Sequence, residues 1–484
     1  MSEAAVVTTG RNVAGHVEVR GISLIPAAER HGQPTGLFTL WFSANLSYLY
    51  VLFGGLLIIT GLTLMQAITV ILVGNLFYGL VGVISTAGPK FGTSTVNVST
   101  FMFGTVGNRV FGALLAWAIA VSFEAINLSI GALAGFALAS DTGVHVSTLV
   151  QVVVLVVIAA TFALGILGHA TILRTASVVS GLIGLATVVL FGFVINHANF
   201  SYHPAHQLHG LAAAGTVFIG LTLIASGPLT WMCFPAEFAR YLPEKTPNKA
   251  VILWTALGGY LSSAFLAVIG VLAGTVVNMA DPQAAMKGLM PAWFYPLFLL
   301  LIIIGTTINN VLGIYSSGLA LQALGVKARR SRTVLLDCIV GGSMTMYALF
   351  VSNFLTTLNN FLALSEVWLA PYAGVFVAHL TLTRHKTAES GASALDQLSR
   401  VRRVNTKGVI ALLSGAVGAF LCADTTYWHG PISTALYGAD LSPYVGTLLG
   451  ASIYALGYKM LASRDVKGDN NLETYSRPSL ADAT

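Results

Sequence analysis

Phe123, Glu124 and Asn127 sit inside one long apolar stretch, at offsets that set an aromatic ring, a carboxyl and a carboxamide on one broad helical face. That trio suits a flat heterocycle. Its ring can stack on the aromatic while the amide offers both a donor and an acceptor to its edge. The competing reading is that Glu124 and Asn127 are polar glue between helices. A second stacking surface is Trp231, one turn past Ser226-Gly227-Pro228, where Gly227 marks backbone open to a ligand; a tryptophan there also fits an interfacial belt. A third polar group is Gly305 to Asn310. Asn309 and Asn310 point about 100° apart on a helix, so one is expected to face a cavity and the other a neighbouring helix. Thr306 and Thr307 place hydroxyls beside those amides as oxygen ligands for a hard cation, to be completed by unwound carbonyls near Gly54; the alternative is that both hydroxyls bond back to their own helix.

Other ionisable groups in apolar surroundings are few. Glu366 is a second buried carboxyl and Asp337 sits near the inner end of the ninth span; either can pair with a Lys, Arg or backbone group without touching substrate, and Glu237 with Arg240 reads as an i,i+3 ion pair at a helix end. The run His197, His203, His206 and His209 invites a metal, but Pro204 and the short segment favour a solvated surface cluster. Cys233, Cys338 and Cys422 have no disulfide or metal spacing and read as buried small hydrophobes. With no HExxH and no Ser/His pair in the apolar stretches, the chain is not expected to be an enzyme or to carry a cofactor beyond a coupling ion, H⁺ or Na⁺.

What must position these residues is a membrane scaffold. Hydrophobic residues make up 55% of the 484 and charged residues 9%, far below a soluble domain; the mean hydropathy is +0.79. Twelve segments have the length to cross about 30 Å of hydrocarbon, beginning near Phe38, Met65, Arg109, Thr148, Thr175, Leu211, Ala250, Trp293, Thr333, Phe354, Gly408 and Ser442. With the N-terminus inside, Lys287 alone of the 24 Lys and Arg falls outside the cytoplasmic segments, which puts both termini in the cytoplasm. The pI near 9.2 therefore reports topology, with no nucleic-acid partner implied.

Two spans contain breaker residues, the first at Gly54-Gly55 and the sixth at Ser226-Gly227-Pro228. Breaks in corresponding spans of two halves point to an inverted-repeat transporter with its site between them. The expected organisation is a cytoplasmic segment (1–37), a first five-helix repeat (38–198), an inverted second repeat (211–383), a cytoplasmic loop (384–407), two further helices (408–463) and a polar, disordered cytoplasmic tail (464–484). The fold class is thus all-α and polytopic, with twelve spans in a five-plus-five arrangement of LeuT type and discontinuous helices 1 and 6.

Several short runs give the chain a family likeness. Val17-Glu18-Val19-Arg20-Gly21-Ile22 with Glu29-Arg30 and Gly32, Trp41-Phe42-Ser43-Ala44-Asn45, Phe103-Gly104 with Gly107, and Ala239-Arg240-Tyr241-Leu242-Pro243 together make it resemble the nucleobase:cation symporter-1 family, in its purine-cytosine permease branch. The resemblance implies cation-driven uptake of heterocycles. In similar fungal members a span-three Trp and an Asn four residues on contact substrate, matching Phe123 and Asn127; a span-six Trp matches Trp231, and an Asn-rich span-eight motif matches Asn309 and Asn310. Phe123 in place of Trp, and Leu312-Gly313 in place of a following Pro-Asn, depart from that pattern and bear on specificity.

The expectation is a multi-pass transporter of an inner or plasma membrane, importing a purine base or cytosine-like ring by alternating access. Phe123 and Trp231 would sandwich the ring, Asn127 with Asn309 or Asn310 would read its edge, and Glu124 would recognise ring N–H groups or carry a proton. Alternatives are the same fold carrying vitamin B6, allantoin, a hydantoin or thiamine, and an uncoupled facilitator. The partners are the heterocycle and the bilayer, with a monomer as the starting assumption.

Overall fold

The computed structural model describes residues 21–143, 149–165, 169–205, 209–327, 330–383 and 401–475. Outside these lie the 17–20 part of the N-terminal motif, His206, most of the loop between spans ten and eleven, and the end of the polar tail. The described chain is helical, with a single isolated bridge between Asp424 and His429 as its only extended pairing. The main helices are α1 (Thr35–Ala44), α2 (Tyr48–Ile59), α3 (Leu64–Phe91), α4 (Arg109–Asp141), α5 (Leu149–Gly165), α6 (His169–His197) and α7 (Gly210–Thr230). They continue with α8 (Pro235–Ala239), α9 (Asn248–Gly274), α10 (Phe294–Leu324), α11 (Arg330–Phe350), α12 (Phe354–Leu382), α13 (Thr406–Cys422) and α14 (Ser442–Tyr475). Eight described helices are long and apolar enough to cross a membrane, and α1 with α2, bent by 62°, make a ninth. Helices α5, α13 and α14 stand where the other three spans are expected.

The first break is not at Gly54-Gly55. It falls at Asn45–Ser47, between α1 and α2, and both glycines lie inside α2. Polar side chains there serve the freed backbone: Asn45 Nδ2 donates to the Trp41 carbonyl at 2.8 Å, and Ser47 caps α2 by accepting from the Leu49 N–H at 3.3 Å. Gly54 has a different job. A Cβ on it, or on Gly270, would overlap the backbone of the facing helix, so these glycines let α2 and α9 press together, as small residues do between membrane helices.

The second break is displaced as well. Helix α7 runs through Ser226-Gly227-Pro228 to Thr230, and the chain unwinds at residues 231–234 before α8. The helix tightens as it ends, with the Trp231 N–H bonded to the Pro228 carbonyl at 3.2 Å and the Phe234 N–H to that of Trp231 at 2.9 Å. In both spans the breaker residues seen in sequence lie within a helix, about two turns past the break in the first span and just before it in the sixth.

Two large apolar clusters fill the interior. One gathers Trp41, Tyr78, Phe103, Tyr315 and Tyr372, and the other gathers Phe53, Leu57, Ile71, Leu272 and Phe298. Phe123 and Phe361 border both, their rings meeting edge to face at 5.7 Å. The seam between the clusters is where α4, α7 and α10 bring their polar residues.

Candidate substrate site

A narrow cavity opens at that seam, and its walls include Phe123, Glu124, Asn127, Trp231, Asn309 and Asn310. Six of the seven residues expected to bind substrate are therefore together. Helix α4 supplies the first three on one face, α10 supplies the asparagines, and the break after α7 presents the indole. Gly227, the seventh, is not on the wall: it lies against the Tyr50 ring, whose Cε1 is 2.8 Å from where a Gly227 Cβ would stand. Small residues set the width of the cavity. Gly313 lies opposite Glu124, where an added Cβ would be 3.3 Å from its Cγ.

Both asparagines of α10 face the cavity, and both use their amide N–H to hold a neighbouring helix. Asn309 Nδ2 donates to the Ala44 carbonyl at the first break at 3.0 Å, and Asn310 Nδ2 donates to the Glu124 carbonyl at 3.2 Å. This leaves acceptors. Both carboxyl oxygens of Glu124, Oδ1 of Asn127 and Oδ1 of Asn310 are buried with no hydrogen-bond partner among the described residues. Unserved buried polar atoms are costly and uncommon, and this wall carries four of them.

Thr306 and Thr307 adopt the back-bonded arrangement. Thr306 Oγ1 donates to the Ile302 and Ile303 carbonyls, both at 3.0 Å, and Thr307 Oγ1 to that of Ile303 at 2.8 Å. Thr306 lines a separate, mostly apolar cavity with Leu46, Thr187 and Phe298; Thr307 is on neither wall. With Gly54 inside an intact helix, the unwound carbonyls near Thr306 are those of the first break, where that of Leu46 stands 3.9 Å from a Gly305 Cβ position.

Several buried polar contacts join distant segments around the cavity. Ser316, also on the cavity wall, donates to Glu237 in a short contact, while Arg240 donates to the Tyr315 hydroxyl at 2.7 Å and the Gly21 carbonyl at 2.6 Å. Glu237 and Arg240 are thus wholly buried and reach α10 and the N-terminal segment. Asp337 is held by Trp117 Nε1 at 2.9 Å and by Ser317 in a short contact. Asn45 accepts from Trp231 Nε1 at 3.2 Å, linking the two breaks. A signal for the last was present, since an asparagine in an apolar span needs partners.

Residues 24–446 match the sequence pattern of a family described as "Permease for cytosine/purines, uracil, thiamine, allantoin". The chain belongs to this permease family. It is 23% identical to a putative purine-cytosine permease, YxlA, of Bacillus subtilis, with 90% of this chain and 95% of the relative aligned. It is also 23% identical to the purine-cytosine permease fcyB of Emericella nidulans, over 93% of this chain and 89% of that one. Among solved structures, Mhp1, a nucleobase-cation-symport-1 family transporter closed around bromovinylhydantoin, superposes with a TM-score of 0.71 at 16% identity, covering 92% of this chain and 96% of Mhp1. This permease therefore has the inverted-repeat transporter fold expected from its sequence. It is a multi-pass membrane transporter rather than an enzyme.

Proposed function

We propose that this permease imports a purine base or cytosine, coupled to H⁺ or Na⁺, by alternating access, with both termini in the cytoplasm. The observation that carries the reading is the set of unserved polar atoms on Glu124, Asn127 and Asn310, on a cavity wall shared with Phe123 and Trp231. A nucleobase is flat, stacks on aromatic faces, and brings amino and ring N–H donors at its edge. Asn127 and Asn310 read that edge, and Asn309 holds the first break. Glu124 either accepts a ring N–H or carries the coupling proton. If the ion is Na⁺, Thr306 and the carbonyls of the first break are its oxygen donors, a role in which Gly54 has no part.

Thermal stabilisation of the purified chain tests the substrate, because a bound ligand raises apparent stability by linkage. The panel is adenine, guanine, cytosine, uracil, allantoin, a hydantoin, thiamine and pyridoxine, each with and without Na⁺ and at two pH values. Stabilisation by a purine or cytosine is the expected result, and a Na⁺ or pH dependence names the ion. Stabilisation by pyridoxine, thiamine, allantoin or a hydantoin alone keeps the cavity and replaces the substrate.

A further inference from the structure

Asn45 has no exposed surface, lies in the first break, and is the centre of a closed hydrogen-bond set. Its Nδ2 donates to the Trp41 carbonyl, which fixes the orientation of the amide and turns Oδ1 toward three donors. These are the Tyr78 hydroxyl at 2.6 Å, the Tyr50 hydroxyl at 2.7 Å and Trp231 Nε1 at 3.2 Å. A carboxamide oxygen has two lone pairs, so it cannot serve all three at once. The tyrosine hydroxyls are themselves 2.7 Å apart, and the count closes if one tyrosine donates to the other. Three protons then meet three acceptor sites, with Oδ1 taking the remaining tyrosine and Trp231.

We propose that Asn45 is the positioning residue for Trp231: it takes up the indole N–H and thereby presents the indole ring, rather than its N–H, to the cavity. The consequence for substrate rests on the reading of the cavity given above. The ring is also braced edge to face against Trp41 at 5.3 Å and 82°. Trp41 is the residue whose carbonyl holds Asn45, so one short segment of the first span sets both the angle and the anchor of the stacking surface. Because Asn45 belongs to one break and Trp231 to the other, a change of either break must remake this bond. Substrate seated on the indole therefore favours the conformation in which the two breaks are tied.

The test uses the full chain in detergent, labelled with 5-fluorotryptophan. Seven tryptophans give seven fluorine signals, and the one lost in Trp231→Phe is that of Trp231. In Asn45→Ala that signal should shift or broaden with no substrate present; an unmoved signal overturns the proposal. Asn45→Gln keeps both the amide donor and the oxygen acceptor, so it should return the Trp231 signal toward its wild-type position, and a signal displaced as far as in Asn45→Ala would mean that Asn45 is merely structural. Should Asn45→Ala fail to fold, Asn45→Ser, whose hydroxyl is too short to reach the indole, takes its place.

Adenine binding then supplies a double-mutant cycle. Losing one hydrogen bond should weaken adenine by about two- to tenfold in either Asn45→Ala or Trp231→Phe. The double variant should be no weaker than the worse single one, since Asn45 acts through the indole N–H. Additive losses would contradict that. If the wild type does not bind adenine, the substrate reading fails, and the fluorine signal decides Asn45 without it.

Discussion

Glu124 and Asp337 are both fully buried carboxyls on packed helices, yet they are treated in opposite ways. Asp337 has each oxygen served, one by Trp117 and the other by Ser317, and so joins α4, α10 and α11. Glu124, two turns farther along α4 from Trp117, faces the cavity with neither oxygen served among the described residues. A buried acid is tolerated when its partners come with the fold. One left without them is kept for something that arrives later. The comparison separates a carboxyl that holds helices from one to which the proposed function gives substrate or the coupling proton.

The largest expected effect follows from exchanging acid for amide at each. Glu124→Gln should abolish uphill accumulation while leaving substrate exchange across proteoliposomes in place; Asp337→Asn, which keeps an acceptor for its donors, should still accumulate. Unchanged accumulation in Glu124→Gln would remove its coupling role. Across the cavity, Trp231→Ala should raise the Kd for adenine or cytosine by about ten- to a hundredfold, because stacking of a base on an aromatic is worth about 1–3 kcal/mol. Near-normal binding would dismiss the indole as a platform.

Stability should sort the pair the other way. Asp337→Ala strands the Trp117 N–H and Ser317 hydroxyl at about 1–3 kcal/mol per unpaired group, so it should lower the Tm of the purified chain with little change in Kd. Glu124→Ala should leave the Tm near that of wild type, and a large drop would mean that Glu124 is held by the fold after all. The smallest effect is expected for Gly313→Ala, which sets a methyl beside the Glu124 side chain. It should weaken substrate by less than about tenfold, readable as a Kd shift at unchanged Tm.

Much of this site was legible because it depends on period and type. Phe123, Glu124 and Asn127 share a face by helix geometry, and polar residues in apolar spans announce a cavity. The positions of the breaks were not legible, and the reason is packing. Glycine pairs look like breakers, but Gly54 and Gly270 serve the close approach of α2 to α9, and α7 carries on for two residues past Pro228. The first span unwinds at Asn45-Leu46-Ser47, where the Asn45 and Ser47 side chains take up backbone groups on either side of the break. Contacts between distant segments, such as Asp337 with Trp117 or Arg240 with Gly21, have no local signature in a single chain. The back-bonding of Thr306 and Thr307 was one of two open readings, and only the helix itself could choose between them.

The most direct measurement is uptake of radiolabelled adenine and cytosine into proteoliposomes holding the wild-type chain, under an imposed inward gradient of H⁺ or of Na⁺, with Glu124→Gln in parallel. The account predicts accumulation above equilibrium in wild type under one of the two gradients, and exchange without accumulation in Glu124→Gln. Uptake that stops at equilibrium under both gradients would make the permease an uncoupled facilitator and contradict it.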